Sequence, residues 1–349
     1  MPSRDNPGAL LSEVTRSGRV ESRHHGSLAV VHEGETVLAL GDPDASIYAR
    51  SAVKPLQALP LLESGIPERL SFGSKEIALC CASHGGTKAH VEVVRSILAR
   101  GGLSEEDLGC GPHAPFDDEA RRQMLREGGS PSRIHNNCSG KHAGFLLLAK
   151  RCGDDLRRYL SPDCRSQRLV AEAVAEMTGL GAPAPVGVDG CGAPTFFLPL
   201  VALARGFARL ANPEGLPSVR RDACRSIRKA AGEQPVLLSG ERRFCAALIR
   251  SMPGRIFAKN GAEGVYAAAL APDPARKRLP GGVGIAVKIA DGNERGYWPV
   301  LVDLLRAIGC FSGRPDVPAA LRDWHRVPVL DTNRNRVGEV RCAVSWRIP

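Results

Sequence analysis

The chain has 349 residues, of which 43% are hydrophobic and 24% are charged, a balance typical of a folded core rather than of a disordered chain. The net charge of +10 comes from scattered lysines and arginines, and only 5% of residues are aromatic. Both features argue against nucleic-acid binding, which uses clustered cations and stacking aromatic side chains. The longest apolar run covers residues 196–204, and a membrane-spanning helix needs about 20 such residues. We therefore expect neither a nucleic-acid partner nor a membrane partner.

The N-terminal 18 residues contain no apolar segment of the kind that signal peptides carry. The chain has 11 cysteines, and an odd number argues against a closed disulfide framework. In a reducing compartment, thiols instead fill cores, bind metals or act as nucleophiles. The sequence therefore predicts a cytoplasmic protein.

The first predicted element lies at residues 27–40, where two short apolar runs flank Glu33 and Gly34. This pattern predicts an antiparallel hairpin. Helical periodicity then dominates the middle of the chain. The predicted helices cover residues 56–62, 89–98, 119–125, 143–152, 169–177 and 196–210. Strand patterns return at residues 255–259, 264–271 and 284–291, and a helix follows at 298–308.

Strands near both chain ends therefore flank a helix-rich middle. This order predicts an α/β (α+β) fold in which the two ends build one antiparallel sheet. The sheet is expected from about residues 15–50 and 255–349, and the helical part from about residues 54–250. Because no linker, repeat or low-complexity tract interrupts the chain, we expect a single domain over residues 1–349.

Ser51 and Lys54 form a Ser-x-x-Lys pattern at the start of an apolar helical stretch. Lysines are scarce, 9 against 38 arginines, and only lysine can lose its proton and act as a base. Residues three apart share a helix face, so the amine of Lys54 can activate the hydroxyl of Ser51 for nucleophilic attack. The same pattern at Ser226 and Lys229 lies in a polar, arginine-rich helix, which we interpret as a solvated surface.

Known Ser-x-x-Lys hydrolases carry two further elements, a serine-containing triplet and then a Lys-Thr-Gly strand. The candidates here are Ser83, in Ser-His-Gly, and Lys259, in Lys-Asn-Gly. Each also has a structural interpretation, because Ser83 can end a helix and Lys259 can be a solvated turn residue.

A second cluster lies at residues 135–142. Cys138 and His142 are four residues apart, a spacing that often serves metal binding on a helix, and Cys191 follows in a glycine-rich turn. The alternative is that both cysteines are buried thiols. Asp189 is either a turn former or a carboxylate for a substrate amine, and Arg50 is either a surface charge or a partner for a substrate carboxylate.

These residues resemble the class 3, rhizobial-type L-asparaginases, also called the asparaginase II family. The resemblance follows the family's order from about residue 15 to 310, and the stretch after Gly309 is only loosely similar. The matching segments are residues 49–55, 81–84, 137–142, 189–191, 240–245, 259–261 and 287–293. The resemblance implies a fold similar to serine β-lactamases and glutaminases, a homodimer, and hydrolysis of L-asparagine to L-aspartate and ammonia.

The resemblance also assigns catalytic roles. The family has two Ser-Lys tandems, which match Ser51 with Lys54 and Ser83 with Lys259. Ser51 is then the expected nucleophile and Lys54 its base. Ser83 and Lys259 would relay protons or hold the second tandem.

Zinc is the cofactor that the resemblance implies, with water completing its shell. The residues that match the family's zinc ligands are Cys138, Lys141 and Cys191. This set does not include His142, which spacing alone suggests as a ligand. Those that match positions around the substrate are Arg50, His142 and Asp189.

Two other functions remain open at this stage. A penicillin-interacting or glutaminase-like serine hydrolase would cleave a β-lactam or prefer L-glutamine. A basic zinc-containing module without turnover would bind nucleic acid or a protein, and the nucleic-acid binding would weaken steeply with salt.

Overall fold

A computed structural model describes residues 8–311 and 317–348, so the first seven of the 18 N-terminal residues considered for a signal peptide lie outside the described residues. The residues group into two compact units. The first, called the sheet unit, comprises Met1–Ala52, Leu198–Asn212 and Arg250–Pro349. The second, called the helical unit, comprises Val53–Phe197 and Pro213–Ile249.

The described residues form strands and helices that are numbered in chain order. The strands are β1 (Ala9–Arg16), β2 (Arg19–His32), β3 (Glu35–Leu40), β4 (Ser46–Tyr48), β5 (Val186–Val188), β6 (Pro194–Pro199), β7 (Ile256–Asn260), β8 (Val265–Leu270), β9 (Val283–Ile289), β10 (Val327–Leu330) and β11 (Arg336–Cys342). The helices are α1 (Lys54–Gln57), α2 (Leu59–Glu63), α3 (Ile66–Arg69), α4 (Ser74–Cys80), α5 (Lys88–Arg100), α6 (Asp118–Arg126), α7 (Ser139–Cys152), α8 (Arg165–Thr178), α9 (Leu200–Ala211), α10 (Ser218–Glu233), α11 (Pro235–Leu238), α12 (Phe244–Ser251), α13 (Trp298–Ala307) and α14 (Arg322–His325).

The sheet unit is built on an antiparallel sheet whose strands come from both ends of the chain. Its order among the described residues is β10-β11-β1-β2-β9-β8-β7, and β3 also pairs with β2. The N-terminal β1 pairs antiparallel with the C-terminal β11, and β2 pairs antiparallel with β9. The predicted fold, an antiparallel sheet from both chain ends with a helix-rich middle, is confirmed.

The predicted hairpin is also present, since β2 pairs antiparallel with β3 across Glu33 and Gly34. Both turn residues have positive φ angles, 51° and 90°, as the tight turns of twisted hairpins require. The helix predicted at residues 196–210 is wrong at its start, because β6 extends to Pro199 and α9 begins only at Leu200. The residue before a proline is disfavoured in helical conformation, so Leu198 stays extended and the helix starts after Pro199.

Helix α9 packs against β2, β8 and β9. The helix is apolar and buried nearly all round, as expected for a helix inside a core. Gly284 on β9 makes the close packing possible, because a Cβ atom there would lie 1.9 Å from the carbonyl oxygen of Ala204. This packing fixes the central strands, and β7 at the end of the sheet carries Lys259.

The helical unit is arranged around α7, which packs against α2, α4, α5 and α8. Every residue of α7 from Ser139 to Ala149 is buried. Strands β5 and β6 form an antiparallel pair in the same unit. The described chain contains no helix that is both long and apolar enough to cross a membrane.

Candidate active site

The predicted site residues are divided between the two units. Arg50, Ser51 and Lys259 belong to the sheet unit. The helical unit holds Lys54, Ser83, Cys138, Lys141, His142, Asp189 and Cys191.

In the sheet unit, Ser51 lies in a tight 3₁₀ turn, Arg50–Val53. The backbone amide of Ala52 donates to the carbonyl of Ala49 at 3.2 Å. Arg50 has a φ angle of 50°, in the left-handed region that a non-glycine residue rarely occupies. Such strained backbone persists only where the surrounding structure holds it in place, and it is frequent at functional sites.

Lys259 is fully buried on β7. Its Nζ donates to the backbone carbonyl of Asn260 at 2.9 Å and to the side-chain oxygen of Asn260 at 3.2 Å. Gly261 lies directly against the Ser51 turn, since a Cβ atom there would meet the carbonyl oxygen of Ala49 at 3.1 Å and the amide nitrogen of Ala52 at 3.3 Å. The glycine of the Lys-Asn-Gly motif thus brings the end of β7 to the turn that holds Ser51.

In the helical unit, Lys54 is the first residue of α1 and is 1% exposed. Its Nζ donates to the carbonyl of Ala82 at 2.5 Å, to Ser83 Oγ at 3.0 Å and to Cys138 Sγ at 3.2 Å. Three hydrogen-bond partners therefore surround the buried amine. The structure therefore brings Lys54, predicted to pair with Ser51, into contact with Ser83, the serine of the other predicted tandem.

The close packing of α4 on α7 creates this contact. A Cβ atom on Gly140 would lie 2.4 Å from the carbonyl oxygen of Leu79, so any larger residue would force the two helices apart. Backbone hydrogen bonds then fix the segments beside them, from Ser83 N to Leu238 O at 3.0 Å and from His84 N to Asn137 O at 3.1 Å. The glycine of the Cys-Ser-Gly-Lys-His motif therefore has a packing role.

Cys138, Cys191 and Lys141 form a buried cluster of two sulphurs and one amine. A hydrogen bond from Cys191 and the positive charges of Lys54 and Lys141 hold the pKa of Cys138 well below its usual range, although burial opposes this. The hydrogen bond to Cys138, together with burial, raises the pKa of the Cys191 thiol. The lowered pKa of Cys138 and the raised pKa of Cys191 are thus two sides of one interaction between neighbouring sulphurs.

Lys141 Nζ lies 3.2 Å from Cys191 Sγ. Burial opposes its charge, but Cys191, Cys138 and the carboxylate of Asp189 together raise the pKa of Lys141. The described residues contain no group of three or more His, Cys, Asp or Glu side chains that could hold a metal ion. The predicted ligand set has only two such residues, and its third donor is the lysine amine.

This donor set fits zinc. Thiolates are preferred zinc ligands, and the two thiols and the amine are already linked by hydrogen bonds. A lysine ligand must be neutral, so a bound metal would have to replace the proton that the amine carries without it. His142, which spacing alone suggested as a ligand, has a different partner.

His142 is fully buried, and its Nδ1 lies 2.5 Å from the hydroxyl of Tyr159. The same hydroxyl accepts a hydrogen bond from the backbone amide of Gly109 at 2.7 Å. Burial and the positive charges of Lys141 and Lys54 lower the pKa of His142 well below its usual range. Tyr159 escaped the sequence analysis because a lone tyrosine in a loop carries no pattern.

Asp189 forms a tight turn, as one of the two sequence interpretations predicts. The amide of Gly192 donates to its carbonyl at 2.8 Å, and the amide of Gly190 donates to its carboxylate at 2.7 Å. The turn places Cys191 beside Lys141.

A cavity of about 430 Å³ lies in the helical unit beside Gly85, two residues after Ser83. Its lining includes Asp117 and Glu241 as well as Arg122 and Arg242. Of the predicted site residues in the described chain, none lines this cavity.

The chain is similar to several solved structures at low sequence identity. They include a protein called Mglu, with 15% identity, a TM-score of 0.42 and coverage of 84% of this chain. A probable glutaminase from Bacillus subtilis has 14% identity and a TM-score of 0.36, with 78% of this chain and 83% of that chain covered. A β-lactamase from Streptosporangium roseum has 14% identity and a TM-score of 0.40, with 82% and 93% covered. The chain spans 66% of the length of Mglu.

Among curated proteins, none matches the chain. A family profile described as L-asparaginase II matches residues 12–342. The match covers both units and every predicted site residue, and it supports an amidohydrolase. The chain therefore belongs to the L-asparaginase II family.

Proposed function

We propose that this protein is an L-asparaginase that hydrolyses L-asparagine to L-aspartate and ammonia. The observation that carries the proposal is the buried Lys54 amine, 3.0 Å from Ser83 Oγ and 3.2 Å from Cys138 Sγ, in a chain of the L-asparaginase II family. A buried amine beside a hydroxyl is the arrangement that activates a serine or moves its proton.

In the proposed reaction, Ser51 attacks the carbon of the substrate's side-chain amide, and Lys54 accepts the serine proton. The C–N bond then breaks, and the nitrogen takes up a proton and leaves as ammonia. Water hydrolyses the resulting ester, which releases L-aspartate and restores the Ser51 hydroxyl. Ser83 and Lys259 form the second tandem and relay protons, while backbone N–H groups stabilise the oxyanion.

Three further residues are proposed to recognise the two ends of the amino acid. The guanidinium of Arg50 suits the α-carboxylate, because its donors match a carboxylate in a bidentate pair. The carboxylate of Asp189 suits the α-ammonium group, and His142 borders the substrate. Opposite charges at the two ends fix the direction in which asparagine presents its amide.

Cys138, Lys141 and Cys191 are the residues that would hold zinc. When bound, the ion supplies positive charge, which favours the binding of an anionic substrate group. The lowered pKa of Cys138 and the hydrogen bond from Lys141 to the sulphur of Cys191 support this proposal.

The cellular setting and the assembly are part of the same proposal. All 11 cysteines are free thiols, which supports a reducing, cytoplasmic location. We propose a homodimer, and sedimentation of the purified protein tests it, because a monomer at micromolar concentration would contradict it.

Ammonia release from L-asparagine tests the proposed reaction, with L-glutamine and a chromogenic β-lactam assayed in parallel. Each assay is run before and after zinc removal, and bound zinc is measured separately. Turnover selective for asparagine is the expected result. Preference for glutamine or the β-lactam would favour the other hydrolases, and no turnover of any substrate by the folded, zinc-loaded protein would contradict an enzymatic role.

A further inference from the structure

Tyr159 is a buried residue whose hydroxyl joins a backbone amide to a predicted substrate-binding histidine. The residue is 2% exposed. Its hydroxyl oxygen accepts from Gly109 N at 2.7 Å and lies 2.5 Å from His142 Nδ1. The two rings meet edge to face, with centroids 5.8 Å apart. These two contacts determine which atom carries each hydrogen between Gly109, Tyr159 and His142.

A phenol has one hydrogen to donate, and the Gly109 amide already occupies one acceptor site on the oxygen. If His142 Nδ1 also carried a hydrogen, both N–H groups would point at the same oxygen. The hydroxyl hydrogen would then be buried without an acceptor, which is unfavourable because the group has lost its hydrogen bonds to water. The hydroxyl therefore donates to Nδ1, and Nδ1 has no hydrogen.

In a neutral imidazole, one nitrogen carries the hydrogen and the other accepts. Since Nδ1 accepts from Tyr159, the hydrogen of His142 must be on Nε2. Nε2 is buried and has no hydrogen-bond partner within the described part of the protein. Buried donors in folded proteins are nearly always paired, so this N–H awaits an acceptor that residues 8–311 and 317–348 do not provide.

We infer that Tyr159 is a positioning residue that holds His142 in the tautomer with its hydrogen on Nε2, so that His142 donates a hydrogen bond to an oxygen atom of the substrate. The inference rests on the proposed function, in which His142 borders the substrate. It adds that the partner of His142 is a carbonyl or carboxylate oxygen and not the substrate's ammonium group, because an N–H cannot accept from a cation. Tyr159 itself does not touch the substrate.

The tautomer can be measured without any substrate. Protein labelled with ¹⁵N-histidine is studied by NMR, and the H142Q variant identifies the signals of His142. The expected spectrum shows a protonated Nε2 and an unprotonated Nδ1 at neutral pH. A hydrogen on Nδ1 in the wild-type protein would overturn the inference.

Steady-state kinetics with L-asparagine test the consequence for binding. Y159F is expected to raise KM by about tenfold, roughly the loss of one hydrogen bond, with a much smaller effect on kcat. H142Q provides a rescue, because its amide nitrogen takes the place of Nε2 and donates without help from Tyr159. In the H142Q background, Y159F should therefore change KM by no more than about twofold, a coupling that a purely structural role would not produce.

Tyr297 offers a matched control. It is another buried tyrosine, 1% exposed, and its hydroxyl donates to Glu294 at 3.3 Å in the sheet unit. Y297F removes a buried hydroxyl elsewhere and should leave KM unchanged. Equal KM effects of Y159F in the wild-type and H142Q backgrounds would overturn the inference. If the wild-type protein released no ammonia, the proposed function would fail, and the NMR measurement would still decide what Tyr159 does.

Discussion

The sheet unit holds Ser51 in a turn that packs against backbone, whereas the helical unit holds Lys54 in a buried network of polar groups. In the sheet unit, the strained turn at Ser51 is held against Gly261 by direct packing. In the helical unit, Lys54 is held by three hydrogen bonds, two of which go to Ser83 and Cys138 side chains.

Because of this difference, the two units should tolerate different substitutions and changes of protonation. A turn fixed by backbone packing is sensitive to added volume. A buried polar network is sensitive to the loss of one partner and to changes of protonation, because each unpaired buried group costs free energy. Substitutions and pH should therefore affect the two units differently.

The largest expected effect separates the two serines. Ser51→Ala in the sheet unit should lower kcat for L-asparagine by at least about 10⁴-fold, the scale of losing a nucleophile. Ser83→Ala in the helical unit should cost about 10² to 10³-fold, because a proton relay is removed but the nucleophile stays. Both are measured as initial rates of ammonia release.

Ser226→Ala is the matched control, since the neighbouring Lys229 of this second Ser-x-x-Lys pattern is 72% exposed and pairs with Glu233. It should leave the rate unchanged. If Ser83→Ala proved the more damaging variant, the nucleophile would lie in the helical unit, where Lys54 already contacts Ser83 Oγ.

The second prediction compares the two glycines. Gly140→Ala in α7 should lower the free energy of unfolding by about 3 kcal/mol, because the added methyl group meets the backbone of α4 at 2.4 Å. Gly261→Ala should cost about 1 kcal/mol, since its contacts of 3.0 to 3.3 Å need only a small shift. Urea unfolding measures both.

Gly181 provides the control, because a Cβ atom there would meet nothing within 4 Å. Its alanine variant should unfold like the wild-type protein. A Gly140→Ala variant of normal stability would mean that the packing of α4 on α7 does not depend on this glycine. If folded Gly261→Ala released ammonia more slowly than the wild-type protein, the result would show that activity requires the Ser51 turn to keep its position.

The sequence predicted the sheet from both chain ends and the helical middle because these depend on local periodicity. It also singled out Lys54 and Ser83, since both lie in recognisable motifs. It could not predict their contact, because that depends on how closely Gly140 lets two helices approach. Tyr159 was missed for a similar reason, since it lies 17 residues from His142 in the chain.

The third prediction concerns pH. His84 is fully buried in the helical unit, where its Nδ1 accepts from Gly86 N at 3.2 Å and its Nε2 lies 3.0 Å from Ser139 Oγ. Burial, with the nearby charges of His90 and Lys54, lowers the pKa of His84 well below its usual range. Because the folded pKa is below the unfolded one, the unfolded state binds the proton first. The contribution of His84 to stability is therefore full above about pH 6.5 and falls by up to about 1.4 kcal/mol for each pH unit below it.

The sheet unit should respond only at lower pH. Burial opposes the charge of Asp303, but hydrogen bonds with His325 and Arg306 hold its pKa well below its usual range, so its contribution is present above about pH 4 and is lost as the pH falls further. All three tryptophans lie in this unit, so their fluorescence reports its unfolding, while circular dichroism follows the helices.

Between pH 6.5 and 5, the thermal midpoint of unfolding measured by circular dichroism should fall, and in His84→Gln it should fall less. An equal fall in wild type and variant would mean that His84 does not set this acid sensitivity, and an equal fall of the two signals would mean that the units unfold together.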